Sequence, residues 1–87
     1  MSYKITLVSS SWCVNCKLLK DSLTQANIIY HMIDSDTDQG MEYCTEHGIR
    51  GLPTTIITDE VGEVVRKVVG LQPVKVFQEY ASKEVEV

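Results

Sequence analysis

Two cysteines separated by two residues, Cys13 and Cys16, lie where a short apolar run changes into a helical pattern. The apolar run over residues 4–8 is bounded by serines and has the length of a buried strand. Beyond it, apolar residues recur at steps of three or four, namely Cys16, Leu19, Leu23 and Ala26. This spacing predicts a helix over residues 13–26 with one buried face. The chain must therefore fold with two thiols at a strand-to-helix junction.

The predicted junction gives the two thiols different environments. Cys13 falls at the helix N-terminus, where free backbone N–H groups and the positive end of the helix dipole stabilise negative charge. We therefore expect Cys13 to lose its proton readily and to act as the nucleophile, because the thiolate is the reactive form. Cys16 lies on the apolar face and is expected to be screened from solvent. An accessible sulfur with a second sulfur behind it suits thiol–disulfide exchange.

The rest of the chain predicts alternating strands and helices. The predicted elements are a strand over residues 28–33, a helix over 39–47, strands over 54–58 and 63–69, and a helix from Pro73 onward. We expect Met41 and Cys44 to point inward from the second helix, which Gly48 terminates. From Ser82 onward the charged sequence is expected to fray.

These elements predict an α/β fold of order βαβαββα, with a four-stranded mixed sheet flanked by three helices. The first two strands enclose a helix within about thirty residues, so we expect them to be parallel with a right-handed crossover. The turn over residues 59–62 is short, so the last two strands should form an antiparallel hairpin.

Composition narrows the class of protein. A chain of 87 residues that is 44% apolar predicts one domain over residues 1–87. A net charge of −4 without a basic cluster argues against binding to nucleic acid or to an anionic membrane. Three cysteines, two of them close together, favour a redox or metal-binding pair over a secreted disulfide framework. No run is long enough for a signal peptide or a membrane span, so we expect a cytoplasmic monomer.

Two motifs resemble the thioredoxin/glutaredoxin superfamily. Trp12-Cys13-x-x-Cys16-Lys17 resembles the thioredoxin active-site motif, and residues 48–54 are similar to the thioredoxin segment that carries the cis-proline loop. The chain starts at the strand before the active site, as glutaredoxins do. The resemblance covers essentially the full length and implies a thioredoxin-like fold of glutaredoxin size. It further implies a thiol–disulfide oxidoreductase that needs no cofactor and reduces protein disulfides, with Cys13 and Cys16 as its catalytic residues.

The same resemblance implies a docking surface for the partner protein. A cis peptide bond between Leu52 and Pro53 would present backbone N–H and C=O groups beside Cys13, where an extended substrate can pair with them. Lys17 is expected to modulate Cys13. The residues expected to bind substrate are Trp12, Leu52, Pro53, Thr54, Gly70 and Leu71.

Three departures from the family pattern affect the expected partners. Val14-Asn15, between the cysteines, is closest to the small glutaredoxin-like donors of ribonucleotide reductase, which makes that enzyme one implied partner. Leu7 matches the position of a buried Asp in thioredoxins, so Cys16 lacks the usual proton acceptor. Residues 69–73 lack the acidic residue with which glutaredoxins bind glutathione. We therefore expect thioredoxin reductase as the electron source, with a glutathione-dependent glutaredoxin as the alternative.

Other interpretations of the cysteines are less favoured. Cys44 and His47 form a Cys-x-x-His that could complete a zinc site with Cys13 and Cys16. Zinc ribbons hold their cysteines on tight turns, whereas Cys16 and Cys44 are predicted on the inward faces of different helices. Cys44 is more simply a small core residue. Two alternatives remain. One is a metal cluster that Cys13 binds together with a second subunit, and the other is a non-catalytic adaptor that binds partners through the face near Trp12.

Overall fold

The computed structural model describes residues 3–81. Its elements are β1 (Lys4–Ser9), α1 (Val14–Gln25), β2 (His31–Asp34), α2 (Asp38–His47), β3 (Thr54–Thr58), β4 (Val64–Val69) and α3 (Lys75–Ala81). This order confirms the predicted βαβαββα arrangement. The fraying expected from Ser82 onward falls outside the described residues.

The four strands form one mixed sheet in the order β2-β1-β3-β4. β1 is parallel to β2, with Thr6 opposite His31, and antiparallel to β3, with Thr6 opposite Ile56. β3 and β4 form the predicted antiparallel hairpin. Both predicted pairings are therefore confirmed. The end of the central strand β1 feeds directly into the residues that precede α1, which places the two cysteines at the C-terminal edge of β1.

The main core lies between α1, α3 and one face of the sheet. Leu19 and Leu23 from α1 and Phe77 from α3 are fully buried there, as the periodicity of α1 predicted. They pack with Ile5, Leu7, Ile28, Ile57 and Val68. Burial of each large apolar side chain stabilises the fold by roughly 1.5–3 kcal/mol relative to exposure.

α2 covers the opposite face of the sheet. The Tyr43 hydroxyl hydrogen-bonds with the side chain of Thr6, which alternates with core residue Leu7 along β1. Gly40 is buried, whereas Met41 is 51% exposed, so the inward orientation predicted for Met41 is wrong. The helix turns the face that includes Gly40, Tyr43 and Cys44 toward the sheet. None of the helices within residues 3–81 has the length and apolarity required to cross a membrane.

Two predicted boundaries differ from the structure by two residues or more, whereas the others agree to within one residue. β2 begins at His31 instead of residue 28, because Asn27 has a φ of 59° and the Ile28 N–H donates to the Leu23 carbonyl at 2.9 Å. These residues therefore close the end of α1 instead of pairing with β1. α3 begins at Lys75, two residues after the predicted start at Pro73. Pro73 belongs to the turn before the helix, in which its carbonyl accepts a hydrogen bond from the Val76 N–H.

Candidate active site

Cys13 is the N-cap of α1. Its backbone is extended, with φ −92° and ψ 113°, and its Sγ accepts a hydrogen bond from the Cys16 N–H at 3.2 Å. Its own N–H donates to the Ser10 carbonyl at 3.4 Å. The sulfur thus occupies the place that an oxygen takes in most N-caps, at the end of the helix where N–H groups are free. The side chain is partly exposed, so a partner can reach it.

Cys16 is fully buried beneath Cys13. The pKa of the Cys16 thiol is raised from 9.0 to about 11, mainly by burial and next by the hydrogen bond with the Cys13 side chain, against smaller lowering effects of the Ser10 backbone and Lys20. The two sulfurs therefore face each other, with the buried one protonated at neutral pH. Within residues 3–81, no carboxylate is among the groups that set this pKa. Leu7, which matches the position of the buried Asp in thioredoxins, is fully buried in the core.

The loop before β3 carries the second predicted motif. The Leu52–Pro53 peptide bond is cis, and Pro53 is buried. The Pro53 carbonyl accepts a hydrogen bond from the Gly70 N–H at 2.8 Å, which joins two of the predicted substrate-binding residues. The Thr54 hydroxyl donates to the Gly51 carbonyl at 2.6 Å, so the buried Thr54 side chain links the start of β3 to the loop. Gly70 has a φ of 85°, which favours glycine there.

A groove of about 390 Å³ borders Trp12, the residue before Cys13, and its lining includes neither Cys13 nor Cys16. Trp12, which is 70% exposed, forms part of its lining together with Leu52. The other lining residues are Ser35, Cys44 and residues 49–51. Within residues 3–81 the backbone N–H and C=O of Leu52 make no hydrogen bond, so they remain available to a partner.

The lining of this groove does not include Pro53, Thr54, Gly70, Leu71 or Lys17. Leu71 lines a separate hollow of about 610 Å³ together with Leu18 and Pro73. Lys17 is exposed on the first turn of α1, where its N–H donates to the Cys13 carbonyl at 3.3 Å.

The remaining thiol, Cys44, is half-buried and lines the groove, so the expectation of a core residue is only partly met. All three cysteines are free thiols. In the described part of the chain, no three or more His, Cys, Asp or Glu side chains come together as a metal-binding group. Cys13, Cys16, Cys44 and His47 therefore do not assemble the zinc site that their spacing allowed.

Ile49 and Arg50 had no predicted site role, yet both line the groove. Both residues lie within the segment 48–54, whose similarity to the thioredoxin cis-proline loop could have indicated a role at the site. Lys67 and Gly40, which set the position of α2, could not be identified from a sequence motif. Lys67 donates to backbone carbonyls at the end of α2, 19 and 20 residues away. Gly40 lies against the backbone carbonyl of Asp34, and no side chain marks that contact in the sequence.

The fold and this pair of motifs define a thioredoxin-like protein. Residues 2–83 match the thioredoxin-like domain, and the chain belongs to that family.

Individual relatives agree with this assignment. The SPbeta prophage-derived thioredoxin-like protein YosR of Bacillus subtilis is 34% identical over 61 residues, which span 70% of this chain and 74% of YosR. A mutant thioredoxin from Halobacterium salinarum is 27% identical and superposes with a TM-score of 0.79, over 99% of this chain and 77% of that one. Thioredoxin f2, in a complex with ferredoxin:thioredoxin reductase, has the same fold at 17% identity, with a TM-score of 0.75 over 95% and 78% of the two chains. These relationships support a thiol oxidoreductase kind of function.

Proposed function

We propose that this chain is a dithiol–disulfide oxidoreductase that reduces disulfide bonds in partner proteins through Cys13 and Cys16. The observation that carries the proposal is the 3.2 Å hydrogen bond from the Cys16 N–H to the Sγ of Cys13, with the Cys16 side chain buried directly behind it. This geometry presents one sulfur to a partner and keeps the other within reach of the first.

In the first step, the Cys13 thiolate attacks one sulfur of the partner's disulfide. The partner's S–S bond breaks, a mixed disulfide forms, and the departing sulfur leaves as a thiolate that takes up a proton. The Cys16 N–H and the N-terminal end of α1 stabilise the negative charge on Cys13 before the attack.

In the second step, Cys16 loses its proton and attacks Cys13. The mixed disulfide breaks, the Cys13–Cys16 disulfide forms, and the partner leaves as a dithiol that has gained two electrons. Because burial raises the pKa of Cys16 to about 11, its proton must move as the attack begins. The departing partner thiolate is the nearest available acceptor in this scheme, since no carboxylate acts on Cys16 within residues 3–81.

The partner segment lies along the groove between Trp12 and Leu52. Its backbone pairs with the free N–H and C=O of Leu52, and its side chains contact Trp12. Pro53 and Gly70 fix the loop through the 2.8 Å hydrogen bond between them. Leu71 extends the contact surface on the other side, and Lys17 adds positive charge near Cys13.

The electron source is a thioredoxin reductase in a reducing, cytoplasmic setting, and the protein works as a monomer. The complex of thioredoxin f2 with ferredoxin:thioredoxin reductase supports a reductase as the partner kind. Ribonucleotide reductase is the proposed target enzyme, on the resemblance of Val14-Asn15 alone. Glutathione is the alternative electron source, disfavoured by the absence of an acidic residue in the turn over residues 69–73.

Insulin reduction tests the proposal. The wild-type chain should reduce insulin disulfides, Cys13→Ser should abolish turnover, and Cys16→Ser should accumulate covalent partner complexes. Cys44→Ser removes the third thiol, which lines the groove, and its kcat on insulin should match that of the wild type because Cys44 takes no part in the exchange. Activity that survives in Cys13→Ser refutes the mechanism, and binding without any reduction by the wild type indicates an adaptor. Recycling with NADPH and thioredoxin reductase, compared with glutathione and its reductase, identifies the electron source.

A further inference from the structure

Lys67 on β4 reaches across the sheet face to the end of α2. Its Nζ donates hydrogen bonds to the carbonyls of His47 and Gly48, both at 3.1 Å. The last carbonyls of a helix lack partners within the helix and carry the negative end of its dipole, so an ammonium group is well suited to them. Lys67 therefore fastens the C-terminus of α2 to β4.

We infer that Lys67 is a positioning residue for protein substrates, acting through the groove wall that begins where α2 ends. The inference rests on the proposed function, because it assigns this groove to the partner protein. It concerns the binding of large disulfide substrates and leaves the chemistry at Cys13 unaffected.

Within residues 3–81, the hydrogen bonds that hold the groove wall over residues 49–52 lie near its two ends. At the start, Gly48 has a φ of 64° and the Ile49 N–H donates to the Cys44 carbonyl at 2.8 Å. At the far end, the Gly51 carbonyl accepts the Thr54 hydroxyl. Within residues 3–81 the backbone of Leu52, which the substrate is proposed to pair with, makes no hydrogen bond. The position of the wall therefore depends on its anchors, and Lys67 fixes the first of them.

Arg66 provides a matched control on the same strand. It pairs with Ile57 in the sheet, whereas Lys67 pairs with Ile56, so the two side chains leave β4 on opposite faces. Arg66 is exposed and makes no hydrogen bond or ion pair in the described part of the chain. Arg66→Met removes the same charge from the same strand without releasing α2.

The test compares kinetics of Lys67→Met, Lys67→Arg and Arg66→Met on two substrates, insulin and a small aromatic disulfide. Lys67→Met should raise KM for insulin about fivefold, which corresponds to about 1 kcal/mol, with little change in kcat, because Lys67 acts on the groove wall and not on the sulfurs. Reduction of the small disulfide, which does not fill the groove, should stay at the wild-type rate. Lys67→Arg should restore KM, since a guanidinium can donate to two neighbouring carbonyls.

Amide hydrogen exchange provides a readout that does not depend on activity. The Ile49 N–H should exchange faster in Lys67→Met and remain at the wild-type rate in Arg66→Met. Equal exchange in the two variants, or a KM for insulin that is the same in both, overturns the inference. If Lys67→Met reduces the small disulfide as poorly as it reduces insulin, the inference is also overturned, because the substitution then impairs the site as a whole. If the wild type reduces neither substrate, the proposed function fails and the substrate role of Lys67 fails with it, while exchange still decides whether Lys67 anchors the wall.

Discussion

The backbone N–H of Cys16 donates its hydrogen bond to the Sγ of Cys13 at 3.2 Å. The proposed nucleophile is therefore also the N-cap of α1, and one sulfur atom serves both the reactivity of the site and the start of the helix. Substitutions at Cys13 can separate these two roles, because serine caps a helix well and alanine does not.

Cys13→Ser and Cys13→Ala should both lack disulfide reductase activity, but only Cys13→Ala should lose the cap. We expect the free energy of unfolding of Cys13→Ala to lie about 1 kcal/mol below that of Cys13→Ser. Urea unfolding of both variants, followed by circular dichroism, measures the difference. Equal stabilities would show that the side chain at this position does not cap α1.

Stability of the reduced protein should fall at alkaline pH because of Cys16. Its pKa is raised from 9.0 to about 11 by burial, so between these values the folded chain holds a proton that the unfolded chain releases. The contribution is fully present below pH 9.0 and is lost as pH rises through about 11, a change of about 2–3 kcal/mol.

Urea unfolding under reducing conditions, in steps from about pH 8 to about pH 11, measures this effect. Cys16→Ala is the reference, because the other titrating groups are the same in both chains. The stability of the wild type relative to Cys16→Ala should decrease over this range. A difference that stays constant with pH would contradict the raised pKa.

Two neighbouring threonines on β3 should respond in opposite ways to substitution by valine. The Thr55 hydroxyl is buried without a hydrogen-bond partner in the described part of the chain, whereas the Thr54 hydroxyl donates to the Gly51 carbonyl. Thr55→Val removes an unsatisfied polar group and should stabilise the fold by about 1 kcal/mol, whereas Thr54→Val should destabilise it by a similar amount. Thermal unfolding of the pair tests this, and a loss of stability in Thr55→Val contradicts it.

Gly40 should not tolerate even one additional carbon. A Cβ at this position would overlap the backbone carbonyl of Asp34, and neither α2 nor the turn after β2 can yield without moving the other. Gly40→Ala should therefore cost about 1–3 kcal/mol in free energy of unfolding. Gly51→Ala is the control, because nothing lies within 4 Å of its Cβ and its stability should match that of the wild type. Equal stability of the two variants would contradict a close contact between Gly40 and the Asp34 carbonyl.

Patterns in the sequence were sufficient for the order of elements, the buried face of α1, the stop of α2 at Gly48, the parallel pairing of β1 with β2 and the hairpin of β3 with β4, but not for the pairing of β1 with β3. The helix features and the hairpin depend on residues within a few positions of one another, where periodicity and backbone preference act directly, and the parallel pairing follows from the strand–helix–strand order. The two motifs around Cys13 and Pro53 also led from the sequence to the family to which the chain belongs.

Only the tertiary structure decided how distant residues meet. It turned Met41 outward because Gly40 must approach the Asp34 carbonyl, and it paired Lys67 with carbonyls 19 and 20 residues away. It also set the proton affinity of Cys16, since the pKa of that thiol is raised mainly by burial under the assembled chain. Such contacts follow from the way helices pack on the sheet, and no periodicity within a single segment encodes that packing.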